Sequence, residues 1–160
     1  MNKPLFQETQ RFTQWWLWLL LVVVSISIFR PISEAISNDQ SLDAGQWVGV
    51  IILAVVILLM FINRLETRID ERGIYVKFFP VVPKFKFYPW EEISTAVVRK
   101  YSPLMEYGGW GIRFGRNGKA YNIKGNKGLQ LKFKSGNALL IGTQKAEELQ
   151  KVLNEIKILR

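Results

Sequence analysis

Two runs without a charged residue constrain this chain most. Residues 15–29 read WWLWLLLVVVSISIF and residues 47–62 read WVGVIILAVVILLMFI. A membrane-spanning helix needs about 20 mostly apolar residues, and the residues before each run can extend it towards that length. Neither run carries the polar stripe at helical spacing that a half-exposed soluble helix needs. The runs therefore predict a transmembrane hairpin within residues 1–63, with helices over about residues 12–30 and 46–63.

Tryptophan residues lie at the ends of these runs, where aromatic side chains anchor membrane helices at the lipid–water interface. The predicted membrane-interface anchors are Trp15, Trp16, Trp18 and Trp47. Gly45 and Gly49 open the second run as a small-xxx-small pair, a spacing that favours close packing between membrane helices.

A cleaved signal peptide is the alternative interpretation of the first run. Lys3 and Arg11 form a basic leader, and Ser33-Glu34-Ala35 is a small-x-small tripeptide of the kind that signal peptidase cuts after. Against cleavage, three tryptophans open the apolar run and Arg30-Pro31 interrupts the chain before that tripeptide. The second run would act as a stop-transfer segment in either case.

The distribution of basic residues predicts the orientation. Residues 30–46, between the runs, contain one cation and three carboxylates, namely Arg30, Glu34, Asp39 and Asp43. Residues 1–63 contain 3 basic and 4 acidic residues, whereas residues 64–160 contain 19 basic and 9 acidic residues. Since Lys and Arg are enriched in cytoplasmic flanks, we expect a two-pass protein integral to the cell's inner membrane, with both termini cytoplasmic.

The chain contains no cysteine and no histidine. This excludes disulfides, thiol chemistry and catalysis by Ser-His or Cys-His pairs, and it removes most zinc sites. Glu91 and Glu92 are adjacent, so in a strand they would point to opposite faces and form no local acid pair. The glycine-rich residues 107–125 match neither a P-loop nor a dinucleotide-binding loop. We therefore expect no catalytic residue, no metal and no cofactor, and hence a protein that is not an enzyme.

The chain after the second run reads as short strands separated by turns, followed by one helix. Asn117-Gly118 predicts a hairpin turn, and Thr143 can cap the final helix. The predicted strands cover residues 64–70, 74–79, 84–88, 93–101, 111–114, 120–123, 129–134 and 138–142. The apolar positions expected on one face of the helix are Leu149, Val152, Leu153, Ile156 and Leu159.

Four segments resemble the pattern of bacterial pleckstrin-homology-like domains found on small membrane proteins, which a transmembrane hairpin commonly precedes. They are PWEEI (89–93), YGGWGIR (107–113), GNKGLQL (125–131) and LLIGTQKAEEL (139–149). The resemblance covers roughly residues 64–158. It implies an α+β fold in which residues 64–160 form a cytoplasmic antiparallel β-barrel or sandwich of about seven strands, capped by a C-terminal amphipathic helix.

Lysine residues of this domain are the candidate surface for a lipid or a protein partner. They are Lys84, Lys86, Lys124, Lys127, Lys132 and Lys134. Alternation in KFKFY predicts that Lys84 and Lys86 point outwards while Phe85 and Phe87 enter the core. Each Lys near an anionic leaflet gains about 1 kcal/mol. The alternative is that these lysines are solvated positions that obey the positive-inside bias.

These observations predict a non-enzymatic integral membrane protein that displays a basic pleckstrin-homology-like interaction module at the cytoplasmic face. The expected partners are membrane lipids, including anionic lipid, or an unknown membrane or cytoplasmic protein, and no nucleic acid. The alternative function is an accessory subunit of a larger membrane protein complex, with the hairpin packed against other helices.

Overall fold

The computed structural model describes residues 4–115 and 118–158. The chain divides into two compact units. The helical unit is Thr13–Ile62, and the sheet unit contains the chain up to Phe12 and from Asn63 onwards. The predicted turn at Asn117-Gly118 and the predicted apolar position Leu159 involve residues outside the described ranges.

The helical unit consists of α1 (Trp15–Ser37) and α2 (Ala44–Ile62). Their mean hydropathies over 18-residue windows are 1.9 and 2.6, so both are long and apolar enough to cross a membrane. At 1.5 Å per residue they are about 34 and 28 Å long, against about 30 Å for the hydrocarbon core of a bilayer. The prediction of two apolar N-terminal helices is confirmed.

The boundaries of α1 differ from the prediction, because the helix continues through Pro31 to Ser37 instead of ending near residue 30. A proline inside a helix removes one backbone hydrogen bond. Ile32 and Ala35, in the turn that follows, are buried. Their packing offsets that loss and keeps the chain helical beyond the proline.

The two helices pack side by side and run in opposite directions. The rings of Trp18 and Phe61 meet edge to face with centroids 5.4 Å apart. A Cβ placed on Gly49 would lie 3.6 Å from the side chain of Ile28. Gly49, one member of the predicted small-residue pair, is therefore used for packing within this chain.

Sheet A of the sheet unit contains four antiparallel strands in the order β1-β2-β3-β4. The strands are β1 (Phe6–Arg11), β2 (Arg64–Ile69), β3 (Gly73–Phe79) and β4 (Val82–Pro89). β1 precedes both apolar helices and pairs with β2, from Phe6 opposite Ile69 to Arg11 opposite Arg64. The assignment of residues 1–63 to the hairpin alone therefore differs from the structure, because pairing with β2 places residues 6–11 in the sheet.

Sheet B has the order β5-β8-β9-β7-β6. Its strands are β5 (Ile93–Lys100), β6 (Gly111–Gly115), β7 (Gly118–Asn122), β8 (Lys127–Phe133) and β9 (Ala138–Gly142). The described residues thus contain nine strands, whereas about seven were expected. Each of the segments predicted as a strand overlaps one of the nine. They form two sheets without a closed barrel, so of the two expected forms, barrel or sandwich, the barrel is not found. The parallel pairing of β7 with β9 also departs from the expected antiparallel arrangement.

Two further helices complete the sheet unit: α3 (Pro103–Tyr107) after β5, and α4 (Ala146–Ile158) after β9. One hydrophobic core lies between sheet A, sheet B and α4. Four of the predicted apolar positions of α4 are buried in this core: Leu149, Val152, Leu153 and Ile156. The α+β class and the apolar face of α4 are confirmed.

Candidate functional site

The six candidate lysines come from different strands and turns of the sheet unit, and their use as one lipid or partner surface stays a prediction. Lys84 and Lys86 lie on β4, an edge strand of sheet A, whereas Lys132 lies on β8 in sheet B. Lys127 begins β8 and Lys134 follows its end, so about 23 Å of extended chain separates them. Lys124 lies in the turn before β8. The lysines therefore occupy different parts of the sheet unit.

The predicted orientation of β4 is wrong. Lys86 is opposite Val76, a core residue, and Phe87 is opposite Tyr75. Partners across an antiparallel pair point to the same side of a sheet, so Phe87 points away from the core and is 45% exposed. Lys86 points to the core side and remains exposed because β4 is an edge strand.

The side of sheet A that points away from the core carries a cluster of cations and aromatic rings, here named the outer face of sheet A. Alternation along β1 and β2 sets its composition, since every second residue of both strands is buried. Its members are Arg11, Arg64, Glu66, Arg68, Tyr75, Lys77, Phe79, Phe85 and Phe87. Four cations thus share this face with one carboxylate.

Cations lie over aromatic rings across this face. The guanidinium carbon of Arg68 is 4.6 Å from the ring centroid of Phe85, and that of Arg64 is 5.4 Å from the centroid of Phe79. Tyr75 and Phe87 stack with centroids 4.6 Å apart. Each cation–π contact stabilises by about 0.5–1 kcal/mol at exposed sites, so the contacts hold the long basic side chains flat on the sheet.

Glu66 lies among the cations of this face. Its carboxylate oxygens are 3.1 Å from Arg64 Nε, 3.4 Å from Lys77 Nζ and 3.8 Å from Arg68 Nη2. The carboxylate is 13% exposed. One anion shared by three cations leaves an excess of positive charge, so the face is suited to bind anionic groups.

Sequence reasoning missed this surface as a site, although its signal is present. RLETRI places Arg64, Glu66 and Arg68 at every second position, and GIYVKFF does the same for Tyr75, Lys77 and Phe79. Joining the two patterns requires the register of the β2–β3 pair, in which Glu66 lies opposite Lys77.

Sheet B carries an open groove of about 590 Å³ on its own outer side. Its floor includes Val97 and Arg99 of β5 with Gln130 and Lys132 of β8. The Arg99 guanidinium donates to Glu106 at 2.6 Å and to Gln130 at 3.0 Å, and its hydrogen bond with Glu106 raises the pKa of Arg99. Arg99 is thus neutralised by its own neighbour, which leaves Lys132 as the cation of the groove that is open to a ligand.

A smaller opening of about 360 Å³ lies beside Tyr88 and Lys119. Burial, with a smaller contribution from Tyr121, raises the pKa of Tyr88 to about 12. Lys119 Nζ is 4.8 Å from the ring centroid of Tyr121. Burial therefore favours the protonated phenol of Tyr88.

The predicted interface tryptophans lie near the ends of the two helices. Trp15, Trp16 and Trp18 occupy the first turn of α1, and Trp47 occupies the first turn of α2. Trp15 is 75% exposed and Trp47 is 55% exposed. In the antiparallel pair these positions mark opposite ends of the helical unit.

No group of three or more His, Cys, Asp or Glu residues that could hold a metal ion occurs within residues 4–115 and 118–158. No protein-family model matches the chain, and no curated protein or solved structure is significantly similar to it.

Proposed function

We propose that the protein is a two-pass membrane protein whose sheet unit is a non-enzymatic module that binds anionic lipid at the cytoplasmic face. One observation carries this proposal: the two apolar helices are inserted between β1 and β2, which are neighbours in one sheet. Arg11 and Arg64 are paired across that boundary. Three residues join Arg11 to α1, and one residue joins α2 to Arg64.

This connectivity favours an even number of membrane crossings. A chain that leaves a sheet at Arg11 and returns to its partner Arg64 must bring both ends of the helical segment to one side of the bilayer. The lengths of α1 and α2 suit one crossing each. The excess of basic residues in residues 64–160 favours the cytoplasmic side.

The outer face of sheet A supports lipid as the ligand. Its cations outnumber its one carboxylate, and its aromatic rings suit the boundary between water and lipid. An anionic leaflet attracts basic residues by about 1 kcal/mol each within a Debye length. Because only three residues join Arg11 to α1 and one joins α2 to Arg64, both arginines would lie within about a Debye length of the leaflet.

The pleckstrin-homology-like character of the sheet unit remains part of the proposal. Two sheets that share one core and a C-terminal helix, α4, support it. β1 and the parallel pairing of β7 with β9 are additions to the pattern that the resemblance implies.

The natural chain contains no cysteine. A single cysteine introduced by mutation is therefore its only thiol, and labelling of that position tests the topology. A membrane-impermeant thiol reagent is expected to label Ser37→Cys in intact cells. It is expected to label Ser135→Cys only after permeabilisation. Labelling of position 135 but not of position 37 in intact cells would reverse the proposed orientation.

Lipid binding is tested by the rise in melting temperature when anionic or zwitterionic lipid is added to the full chain in mild detergent. A variant with Arg64, Arg68 and Lys77 changed to Gln is expected to lose most of the rise with anionic lipid. The matched control changes Lys124, Lys127 and Lys132 to Gln, which removes the same charge elsewhere. Equal rises in the two variants would remove the outer face of sheet A as the lipid site.

The same detergent preparation addresses the alternative of an accessory subunit. A companion protein that copurifies at constant stoichiometry would favour that alternative. Purification without a companion, together with a rise specific to anionic lipid, supports the proposed function.

A further inference from the structure

The turn between β3 and β4 has an unusual composition for an exposed turn. The turn itself is Pro80-Val81, and the segment Phe79–Pro83, which adds the last residue of β3 and the first two of β4, contains no polar side chain. Val81, at its tip, is 68% exposed. Exposed turns favour Gly, Pro, Asn, Asp and Ser, so Pro80 is ordinary there and the exposed Val81 is the unusual residue.

The other strand-to-strand turns that lie wholly within the described residues are polar. Asp70-Glu71-Arg72 joins β2 to β3, and Lys124-Gly125-Asn126 leads into β8. Lys134-Ser135-Gly136-Asn137 joins β8 to β9. Each of these three turns contains a charged side chain, whereas the β3–β4 turn contains none.

The register of sheet A places this turn at one defined end of the sheet. Phe79, which precedes the turn, is opposite Arg64, and Arg64 is opposite Arg11. The turn thus lies at the end where the chain departs to α1 and returns from α2. Arg64 follows Ile62, the last residue of α2, by two positions, which limits their Cα atoms to about 7 Å apart.

The opposite end of β3 carries the charged turn Asp70-Glu71-Arg72, which joins β3 to β2. β2 spans Arg64–Ile69, so about 17 Å of extended strand separates the two ends. β3 thus has an apolar turn at the end where the chain joins the two apolar helices and a charged turn at its other end, so this part of sheet A is polarised along its strands.

We propose that the β3–β4 turn is inserted into the interfacial region of the bilayer that α1 and α2 span. Val81 and the two prolines contact the upper part of the lipid chains, and Arg64 and Lys84 bind lipid phosphates beside them. This inference rests on the proposed membrane insertion of the helices. It adds a second, peripheral attachment that fixes which end of sheet A meets the membrane.

The two prolines suit this position for a chemical reason. A backbone N–H that enters an apolar environment without a partner costs free energy. Proline has no N–H, so Pro80 and Pro83 remove two donors from the segment that would be partly desolvated. Lys84, the first charged residue after the turn, is exposed and long enough to reach the phosphate level from the base of the turn.

The test uses the full chain reconstituted in phosphatidylcholine vesicles that contain phosphatidylglycerol. Single cysteines at Val81, at Glu71 and at Val55 in the middle of α2 are each labelled with a polarity-sensitive fluorophore. Glu71 is the matched control, since it lies in the turn at the other end of β3. Quenching is measured with aqueous iodide and with lipids that carry a quencher just below the headgroup.

We expect position 81 to show blue-shifted emission, at least twofold weaker quenching by iodide than position 71, and strong quenching by the lipid-borne quencher. Position 71 is expected to behave as a fully solvated site, and position 55 as a site shielded from iodide.

Three results would overturn the inference. If position 81 matches position 71 while position 55 is shielded, the helices span the bilayer but the turn does not enter it. If position 81 is shielded from both quenchers, a protein contact covers the turn. If position 55 is quenched by iodide, the membrane insertion of the helices fails, and the inference fails with it.

Discussion

The carboxylate of Glu8 in β1 accepts a hydrogen bond of 2.6 Å from the hydroxyl of Thr143. Thr143 lies 135 residues further along the chain, just before α4. The same carboxylate accepts a bond of 2.8 Å from the backbone N–H of Gln144. Thr143 in turn accepts from the N–H of Lys145 at 3.0 Å. A segment that precedes both apolar helices therefore holds the chain just before the last helix.

Changing Glu8 to Ala is expected to lower the free energy of unfolding of the sheet unit by about 1–3 kcal/mol, because the Thr143 hydroxyl and the Gln144 N–H lose their acceptor. Glu8 is 5% exposed. Gln7→Ala, a change at the exposed neighbouring position, is the control and is expected to have an effect within about 0.5 kcal/mol. Thermal unfolding of the full chain in detergent measures both. Equal melting temperatures for the two variants would contradict a stabilising role for the contacts of Glu8 with Thr143 and Gln144.

A soluble form of the sheet unit should require β1. Arg11 and Arg64 are paired, so an Asn-Gly turn can replace residues 12–63 and join β1 directly to β2. This fusion is expected to unfold cooperatively in urea. The fragment 64–160, which lacks β1, is expected to be less stable by several kcal/mol, since burial of a Phe side chain such as Phe6 alone contributes about 1.5–3 kcal/mol.

Circular dichroism during urea unfolding distinguishes the two proteins. Coincident unfolding curves would show that β1 adds nothing to the sheet unit. A fusion that carries Phe6→Ala separates the burial of that side chain from the strand pairing, because it retains the backbone hydrogen bonds of β1.

The sequence predicted what depends on local patterns. Absence of charge predicts α1 and α2, alternation predicts β2 to β9 as strands, and the 3.6-residue spacing of Leu149, Val152, Leu153 and Ile156 predicts the buried face of α4. These features depend on residues close to one another in the chain, so a single sequence contains their whole signal.

The sequence did not predict β1 or the orientation of β4. β1 is short, has one large buried apolar residue, Phe6, and finds its partner only beyond both helices. KFKFY alternates equally well with either parity, and a shift by one residue exchanges the two faces. The pairing of Tyr75 with Phe87 decides which residues of β4 face the core, and this pairing joins two different strands. The outer face of sheet A depends on the same pairings, which is why composition did not reveal it.

Alkaline pH should destabilise the sheet unit through Tyr88. Burial raises its pKa in the folded state to about 12, above the ordinary value of 10.0. The folded state therefore favours the protonated phenol. The stability that depends on this proton is fully present below pH 10 and is lost as pH rises from about 10 towards 12.

Melting temperatures of the full chain between pH 8 and about pH 11.5 test this expectation. Tyr88→Phe removes the titrating group, so its melting temperature is expected to fall less steeply above pH 10 than that of the parent chain. Tyr75→Phe, on the outer face of sheet A, is the control and should follow the parent chain. Parallel curves for all three proteins would exclude Tyr88 as the source of alkaline sensitivity.

Glu66→Gln makes the outer face of sheet A more positive, whereas the removal of its cations makes it less positive. The change removes the one carboxylate that Arg64, Arg68 and Lys77 share, while the amide keeps a hydrogen-bond acceptor. The loss of these partly exposed ion pairs is expected to cost only about 0–1 kcal/mol of stability. Attraction to anionic lipid is expected to increase by up to about 1 kcal/mol at low salt, and this increase should fade as the Debye length shrinks from about 30 Å at 0.01 M to about 10 Å at 0.1 M salt.

The measurement is the rise in melting temperature with anionic lipid, relative to zwitterionic lipid, at those two salt concentrations. Glu147→Gln makes the same charge change at an exposed position of α4 and serves as the matched control. If the two variants respond to anionic lipid equally, net charge alone determines the response and the arrangement of cations around Glu66 has no part in it.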